Sequence, residues 1–243
     1  MSPAKPEFDA LSSKYDDLLR DPLRDRFSNG TSEFFHLRKR DLIREYFRHR
    51  GIDSGKLNYL DLGCGKGELL ASLRNNFAQV SGCDPSQGML DAGGLRQQGV
   101  QMRVQIAAAT IPFETAQFDF VTAVCVYHHV PPPLRNALTA EVRRVLKPGG
   151  IFAIIEHNPY NPLTRLIVKR TPVDAGAVLL SSAESRQLLR DQKFDIDDRC
   201  YFLYLPERLY GKARHFEAAL RWLPLGGQYA VFARARQLVG CLR

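Results

Sequence analysis

Apolar and polar positions alternate along the chain in two distinct rhythms. Residues 1–50 carry a helical rhythm: in "FFHLRKRDLIREYFRH", Phe34, Leu37, Leu42, Ile43, Tyr46 and Phe47 recur near helical spacing with basic residues between them. Gly51 and Gly55 close that segment. Short apolar runs then alternate with amphipathic stretches. "LNYLDLG", "AQVSGCD", "VQMRVQIA", "FDFVTAVCVYHHV" and "GGIFAIIEHN" read as strands, with helices predicted in "GELLASLRNNF", "SQGMLDAGGLRQQG" and "PLRNALTAEVRRVL". Strands separated by helices of this length imply right-handed crossovers and a largely parallel sheet. After residue 160 the rhythm changes. "NPYNPLTR" reads as a polar loop punctuated by proline, and "SSAESRQLLRDQKF" as a serine-capped helix. "DIDDRCYFLYLP" and "GQYAVFARAR" read as two closing strands with an amphipathic stretch between them. The pattern divides into a helical segment, 1–55, expected to form a lid, and an α/β domain, 56–243.

Composition narrows the class. At 243 residues, 44% apolar and 25% charged, the chain is long enough for one sizeable core. No apolar run is long enough to span a bilayer, and no secretory leader is visible, so a cytoplasmic protein is expected. Cys64, Cys83, Cys125, Cys200 and Cys241 are odd in number and lack C-x-x-C spacing. That argues against both a disulfide framework and a zinc site, and no metal is expected. The net charge is +8, and residues 151–243 hold 14 Lys and Arg against 9 Asp and Glu. "RLIVKR" has no acid, so the C-terminal part can meet a phosphate-bearing substrate or an anionic membrane surface.

Chemistry concentrates in "LDLGCGKGEL". Its glycines are spaced G-x-G-x-G. The third glycine of the dinucleotide fingerprint would fall at Glu68, and a phosphate-binding loop would need glycine at Leu60 and a hydroxyl at Gly67. Glu68 at a helix start also repels a pyrophosphate. The loop suits a ligand that approaches glycine backbone closely and brings no phosphate, such as S-adenosylmethionine (SAM). Asp61 can take the ammonium group of that ligand. Asp84, 23 positions later in "CDPS", can accept its ribose hydroxyls.

"YLDLGCGKGELL", "VSGCDPS", "IPFETAQFDFV", "VYHHV" and "EVRRVLKPGGIFAIIEHNP" resemble, in order, the motifs of class I SAM-dependent methyltransferases, closest to the small-molecule branch of ubiquinone-biosynthesis enzymes. The resemblance covers about residues 57–160. It implies a Rossmann-like, seven-stranded, mostly parallel sheet with the last strand antiparallel. It also implies that Asp61, Gly63, Cys64 and Gly65 line the methionine end, and that Asp84 holds the ribose. Pro85, Ser86 and Met89 would border the adenine, and Cys125 and Val126 would offer backbone to the amino-acid moiety. Ala107 stands where the family often has an adenine-binding aspartate, so backbone at Ala108 and Ala109 is expected to substitute.

Ligands of open α/β sheets sit beyond the carboxyl ends of the strands. "CVYHHV" and "EHNPY" therefore bring His128, His129 and His157 near one cleft, as candidates to take an acceptor proton. A neutral histidine in that role would give a rate rising through about pH 6.5. Tyr127 and Tyr160 are expected to contact the acceptor, while Tyr15, Phe27 and Phe35 are expected to form a lid that excludes water. "VYHH" replaces the Asn/Asp-Pro-Pro-aromatic run of base-amine methylation, and no Pro-Cys dipeptide supplies cytosine-5 chemistry. The function expected is methyl transfer from SAM to a small molecule: a secondary metabolite, quinone, or glycan or lipid intermediate. The alternatives are an RNA methyltransferase using the basic C-terminal part and a SAM-binding partner protein without activity. Nucleic acid is not the expected partner, because the basic residues are not interleaved with aromatics in one platform.

Overall fold

Successive side chains of a strand leave on opposite faces, and here both faces need cover because the central strands are apolar on each. The computed structural model describes residue 9 and residues 12–237, so Cys241 lies outside the described residues. Helices α1 (Tyr15–Leu18), α2 (Pro22–Phe27) and α3 (Glu33–His49) come first. They are followed by β1 (Asn58–Leu62), α4 (Glu68–Leu73), β2 (Gln79–Asp84), α5 (Gln87–Ala92), β3 (Gln101–Val104) and β4 (Phe118–Val124). Next come α6 (Pro132–Val145), β5 (Leu146–His157), α7 (Pro162–Arg170) and α8 (Ser182–Asp191). The last are β6 (Phe194–Phe202), α9 (Glu207–Ala219) and β7 (Gln228–Ala235).

The seven strands lie in the order β3-β2-β1-β4-β5-β7-β6. Strands β1 to β5 pair in parallel, while β7 runs antiparallel to both β5 and β6. The Rossmann-like sheet and its antiparallel last strand agree with the sequence reading. One face buries Leu60, Leu62, Val121 and Ile154 against Leu138 and Val142 of α6 and Leu189 of α8. The other buries Tyr59, Phe120, Ile155 and Phe232 against Ile43 and Phe47 of α3 and Leu70 of α4. The second half of α3 is therefore part of the main core, and Tyr46 stacks on Phe232 at 4.1 Å. Each fully buried side chain of this size contributes about 1.5–3 kcal/mol.

Three elements depart from the pattern reading. "NPYNPLTR" contains the start of α7: the Asn161 side chain accepts from the Thr164 backbone N–H at 2.9 Å, and Pro162 sits at the first helical position. An Asn-Pro pair is a helix start as well as a turn signal, and the turn reading took the wrong one. The fourth strand stops at Val124, because Cys125 turns into the left-handed region at φ 56°. That turn carries "VYHHV" off the sheet. The helix in "SQGMLDAGGLRQQG" is also short, and its glycines have a packing reason. A Cβ on Gly93 would lie 1.8 Å from the Lys66 carbonyl oxygen, so this position lets α5 close on the glycine loop.

A buried ion pair ties the amino-terminal helices to the C-terminal part. Arg38 of α3 pairs with Glu217 of α9 and reaches the Tyr210 hydroxyl. Glu217, 3% exposed, also accepts from the backbone N–H groups of Tyr204 and Leu205 at 3.2 Å. Replacing Glu217 by alanine leaves the Arg38 guanidinium buried without its carboxylate, which costs about 3–5 kcal/mol. Urea unfolding of Glu217→Ala is expected to show that loss, and a loss below about 1 kcal/mol would place the pair among weak surface contacts.

Candidate active site

Parallel strands end on the same edge, so the loops after β1, β2, β4 and β5 meet there around a cavity of about 520 Å³. The loop after β1 is fastened first. Gly63 and Cys64 donate their backbone N–H groups to the Cys83 carbonyl at 2.8 and 3.0 Å. The Asp84 carboxylate then bridges two loops, accepting from Gly65 N at 2.9 Å and from Ser86 N at 2.8 Å. Burial raises the Asp84 carboxyl, opposed by these same two bonds. Gly65 holds φ 56°, a region that disfavours a side chain.

Asp61 lies at the floor, 3% exposed, and accepts from Thr122 Oγ1 at 2.5 Å. Burial pushes its carboxyl up to about 7, while the Thr122 bond and the Lys39 ammonium pull it back. No ion pair reaches Asp61 among the described residues. Gly63, Cys64, Gly65, Asp84, Pro85, Met89, Ala108, Cys125 and Val126 line the cavity with Asp61.

Ser86 and Ala109 do not line it. Ser86 is fully buried, and its hydroxyl caps α5 by accepting from Met89 N at 3.1 Å. Near the Ala107 position, Gln105 Nε2 donates to the carbonyls of Ala107 and Ala108 at 3.2 and 3.3 Å. Gln105 also lines the cavity, so a side chain as well as backbone faces the place expected for adenine.

The three histidines do converge. His128 and His129 rings are 4.1 Å apart, and His128 and His157 rings 5.2 Å. Their protonation differs from the expectation. His128 is 2% exposed, with Nδ1 2.6 Å from Glu156 Oε2 and Nε2 3.4 Å from Asp174 Oδ1. Burial opposes its charge, but the Glu156 and Asp174 carboxylates outweigh that and hold its pKa well above the usual histidine range. His129 and His157 are pushed down to about 4 by burial and by the neighbouring His128. A neutral His128 titrating near 6.5 does not fit this arrangement, because the ring is wedged between two carboxylates.

The tyrosines also sort differently. Tyr127 is fully buried, bonded to Thr139 Oγ1 at 2.8 Å, and belongs to the core beneath the site. Tyr160 is 61% exposed and lies off the cavity wall. Tyr15, Phe27 and Phe35 do line the cavity, and Phe35 stacks on Phe27 at 6.2 Å. Pattern reading missed Lys39, Glu156, Asp174 and Gln228. Lys39 follows Phe35 by four and precedes Ile43 by four, so a basic residue on the apolar face was a visible signal. Glu156 closes an apolar strand run, another visible signal. Asp174 sits on the short 3₁₀ turn Pro172–Asp174, which has no periodicity to mark it. Gln228 has a buried carbonyl oxygen with no hydrogen-bond partner.

Residues 60–154 match the methyltransferase-domain family. The chain is 32% identical over 143 residues to the ubiquinone biosynthesis O-methyltransferase of Pseudomonas putida, covering 56% of this chain and 61% of that protein. It is 28% identical over 203 residues to the demethylmenaquinone methyltransferase of Staphylococcus saprophyticus, covering 79% and 80%. Its fold is shared with a SAM-dependent methyltransferase of Thermotoga maritima at a TM-score of 0.66, 18% identity, and coverage of 94% and 98%.

Residues 60–154 are a methyltransferase domain. The chain spans 48% of one curated relative and 58–61% of others that it matches at 32–36% identity. Four of the five motif segments reach one cavity, with the Asp61 carboxylate at its floor; "IPFETAQFDFV" does not line it. If Asp61 holds the ammonium of SAM, it must be ionised to do so. With its carboxyl pushed up to about 7, SAM affinity is then expected to climb with pH through about 7 and level off above. The same shift means that the free protein loses stability as pH rises from about 4 towards 7, and SAM restores it. Calorimetric titrations from pH 5.5 to 8.5 are expected to show both the climb and its loss in Asp61→Asn. A flat profile in the unaltered protein would remove Asp61 from the ammonium.

Proposed function

We propose that the chain transfers the methyl group of SAM to a hydroxyl-bearing small molecule of quinone-precursor type. The observation that carries this is the composition of the cavity at the strand ends. Its cofactor end has the glycine loop, Asp61 and Asp84, and its other end joins an apolar wall of Phe27, Phe35, Ile167 and Val173 to the polar His128–His129–Asp174 group. An aromatic ring with a hydroxyl matches that pairing. The names of the relatives support a quinone-type acceptor. In the reaction the acceptor oxygen bonds to the methyl carbon as the carbon–sulfur bond breaks. The electron pair goes to sulfur, leaving neutral S-adenosylhomocysteine, and the acceptor's proton leaves to water. The protein aligns the partners and excludes solvent.

The amino-terminal helices are the roof of this arrangement. Asp9 accepts from Gly88 N at 3.0 Å, Lys66 pairs with Asp16 at 2.8 Å, and Arg170 of α7 pairs with Asp21 at 3.2 Å. Phe35→Ala, which removes an aromatic wall, is expected to raise the acceptor KM about tenfold, about 1.4 kcal/mol, with SAM affinity kept. Steady-state kinetics with labelled SAM and hydroxylated quinone precursors test both points. No transfer to any such acceptor by protein that binds SAM would overturn the reading.

We further propose that the mouth of the cavity rests on an anionic membrane surface. Leu163 and Leu166 are exposed on α7 beside Arg165, Lys169 and Arg170. Trp222 and Leu225 are exposed on the loop that Asn161 fastens to α7 by donating to the Leu225 carbonyl at 2.7 Å. Leu163, Thr164 and Ile167 also line the cavity, so an isoprenoid acceptor would pass from this face into it. Among the described residues no helix is long and apolar enough to cross a membrane. Sedimentation with anionic vesicles is expected to pull the protein down at low salt. Trp222→Ala with Lys169→Glu is expected to abolish this, whereas equal binding to neutral vesicles would contradict the charge argument.

A further inference from the structure

We propose that the polar end of the cavity is a divalent transition-metal site, with His128 Nε2, His157 and Asp174 as ligands and an acceptor hydroxyl oxygen as the ligand that completes the shell. The three side chains come from the turn after β4, the end of β5 and the Pro172–Asp174 turn, and their ligand atoms lie within 4.8 Å of one another. His128 Nε2 and Asp174 Oδ1 are 3.4 Å apart. Two ligands bound at about 2.0–2.1 Å to a tetrahedral ion stand about 3.4 Å apart. Asp174 stands at ion-pair distance, and the buried Nε2 has no hydrogen-bond partner. His128 is 2% exposed, and this nitrogen faces the Asp174 carboxylate.

The other side of the ring is built for the same purpose. His128 Nδ1 is 2.6 Å from Glu156 Oε2, and Glu156 Oε1 accepts from Tyr127 N at 2.7 Å. A carboxylate on the far nitrogen of a histidine fixes its tautomer and orientation for a metal. Glu156 is thus a positioning residue and does not touch the ion. Two imidazoles and one carboxylate suit zinc, iron, cobalt or nickel, whereas magnesium and calcium take oxygen ligands. Three protein ligands leave a coordination position, as in zinc sites that do chemistry, and here it faces the cavity. The histidines and Asp174 are far apart in sequence, and the cysteine spacing that argued against zinc has no bearing on them. A metal-bound hydroxyl ionises at lower pH and becomes a nucleophile. That role rests on the methyl-transfer reading, whereas the coordination itself rests only on geometry.

The experiment is titration of chelator-treated, full-length protein with Zn²⁺ by calorimetry and with Co²⁺ by visible absorption, with SAM binding measured on the same samples. One equivalent of zinc is expected to bind, and cobalt to give the intense bands of a low-coordinate nitrogen–oxygen site. Asp174→Asn and His157→Ala are expected to lose about a hundredfold in zinc affinity. Glu156→Gln, which leaves the ligands in place, is expected to lose about 10–100-fold. Unchanged thermal melting and SAM binding identify the variants that are folded. No zinc binding at micromolar metal by protein that binds SAM would overturn the site, as would zinc binding unchanged in folded Asp174→Asn and His157→Ala. Zinc binding without any SAM binding would instead overturn the cofactor reading and leave the metal site standing.

Discussion

The Glu156 carboxylate, fully buried at the end of the central strand β5, is the group on which the site depends. A buried carboxylate is tolerable only if its oxygens are bonded, and the chain meets that demand in one way. One oxygen takes the Tyr127 backbone N–H and the other takes His128 Nδ1. The turn after β4 is therefore locked against the end of β5, with its left-handed Cys125 held in place. The His128 partnership holds the Glu156 carboxyl below its usual range although burial pushes the other way. This one buried charge sets the direction in which the histidine cluster faces.

Asp84 performs a parallel task on the cofactor side, with both oxygens engaged by backbone of different loops. The two halves of the cavity thus share a device: an acid at a strand end gathers N–H groups from adjacent loops, and the rest of the wall is carried along. The field is divided as well. Asp61 and Asp84 make the cofactor end electronegative, matching a ligand with a sulfonium and an ammonium. Lys39 reaches both regions, acting on Asp61 and on Cys125.

The sheet was legible because its strands are short apolar runs that a two-residue period cannot disguise, and β1, β2 and β5 fell where the pattern put them. The glycine loop was legible because few ligands tolerate Asp61 and Glu68 around three glycines. What escaped was held by tertiary contact. Tyr127 looked like a site residue from its neighbours His128 and His129, but a turn sends adjacent side chains in different directions, and its ring went to the core. Asp174 escaped because its partners are some 17 and 46 positions earlier in the chain, a separation no local pattern encodes. Asn161-Pro162 carried a true signal that served two structures equally well, and only the packing of Thr164 against Gly227 chose between them.

The roof over the cavity is fastened by contacts of low individual strength. In the Lys66–Asp16 pair the acid is 71% exposed, and in the Arg170–Asp21 pair the arginine is 48% exposed. Such contacts contribute little each and are screened by salt. The amino-terminal helices α1 and α2 contribute no fully buried residue to hold them down. The chamber proposed for SAM therefore has a rigid floor and a latch that thermal motion can lift, and on that proposal the rate at which spent cofactor leaves becomes a property of the latch.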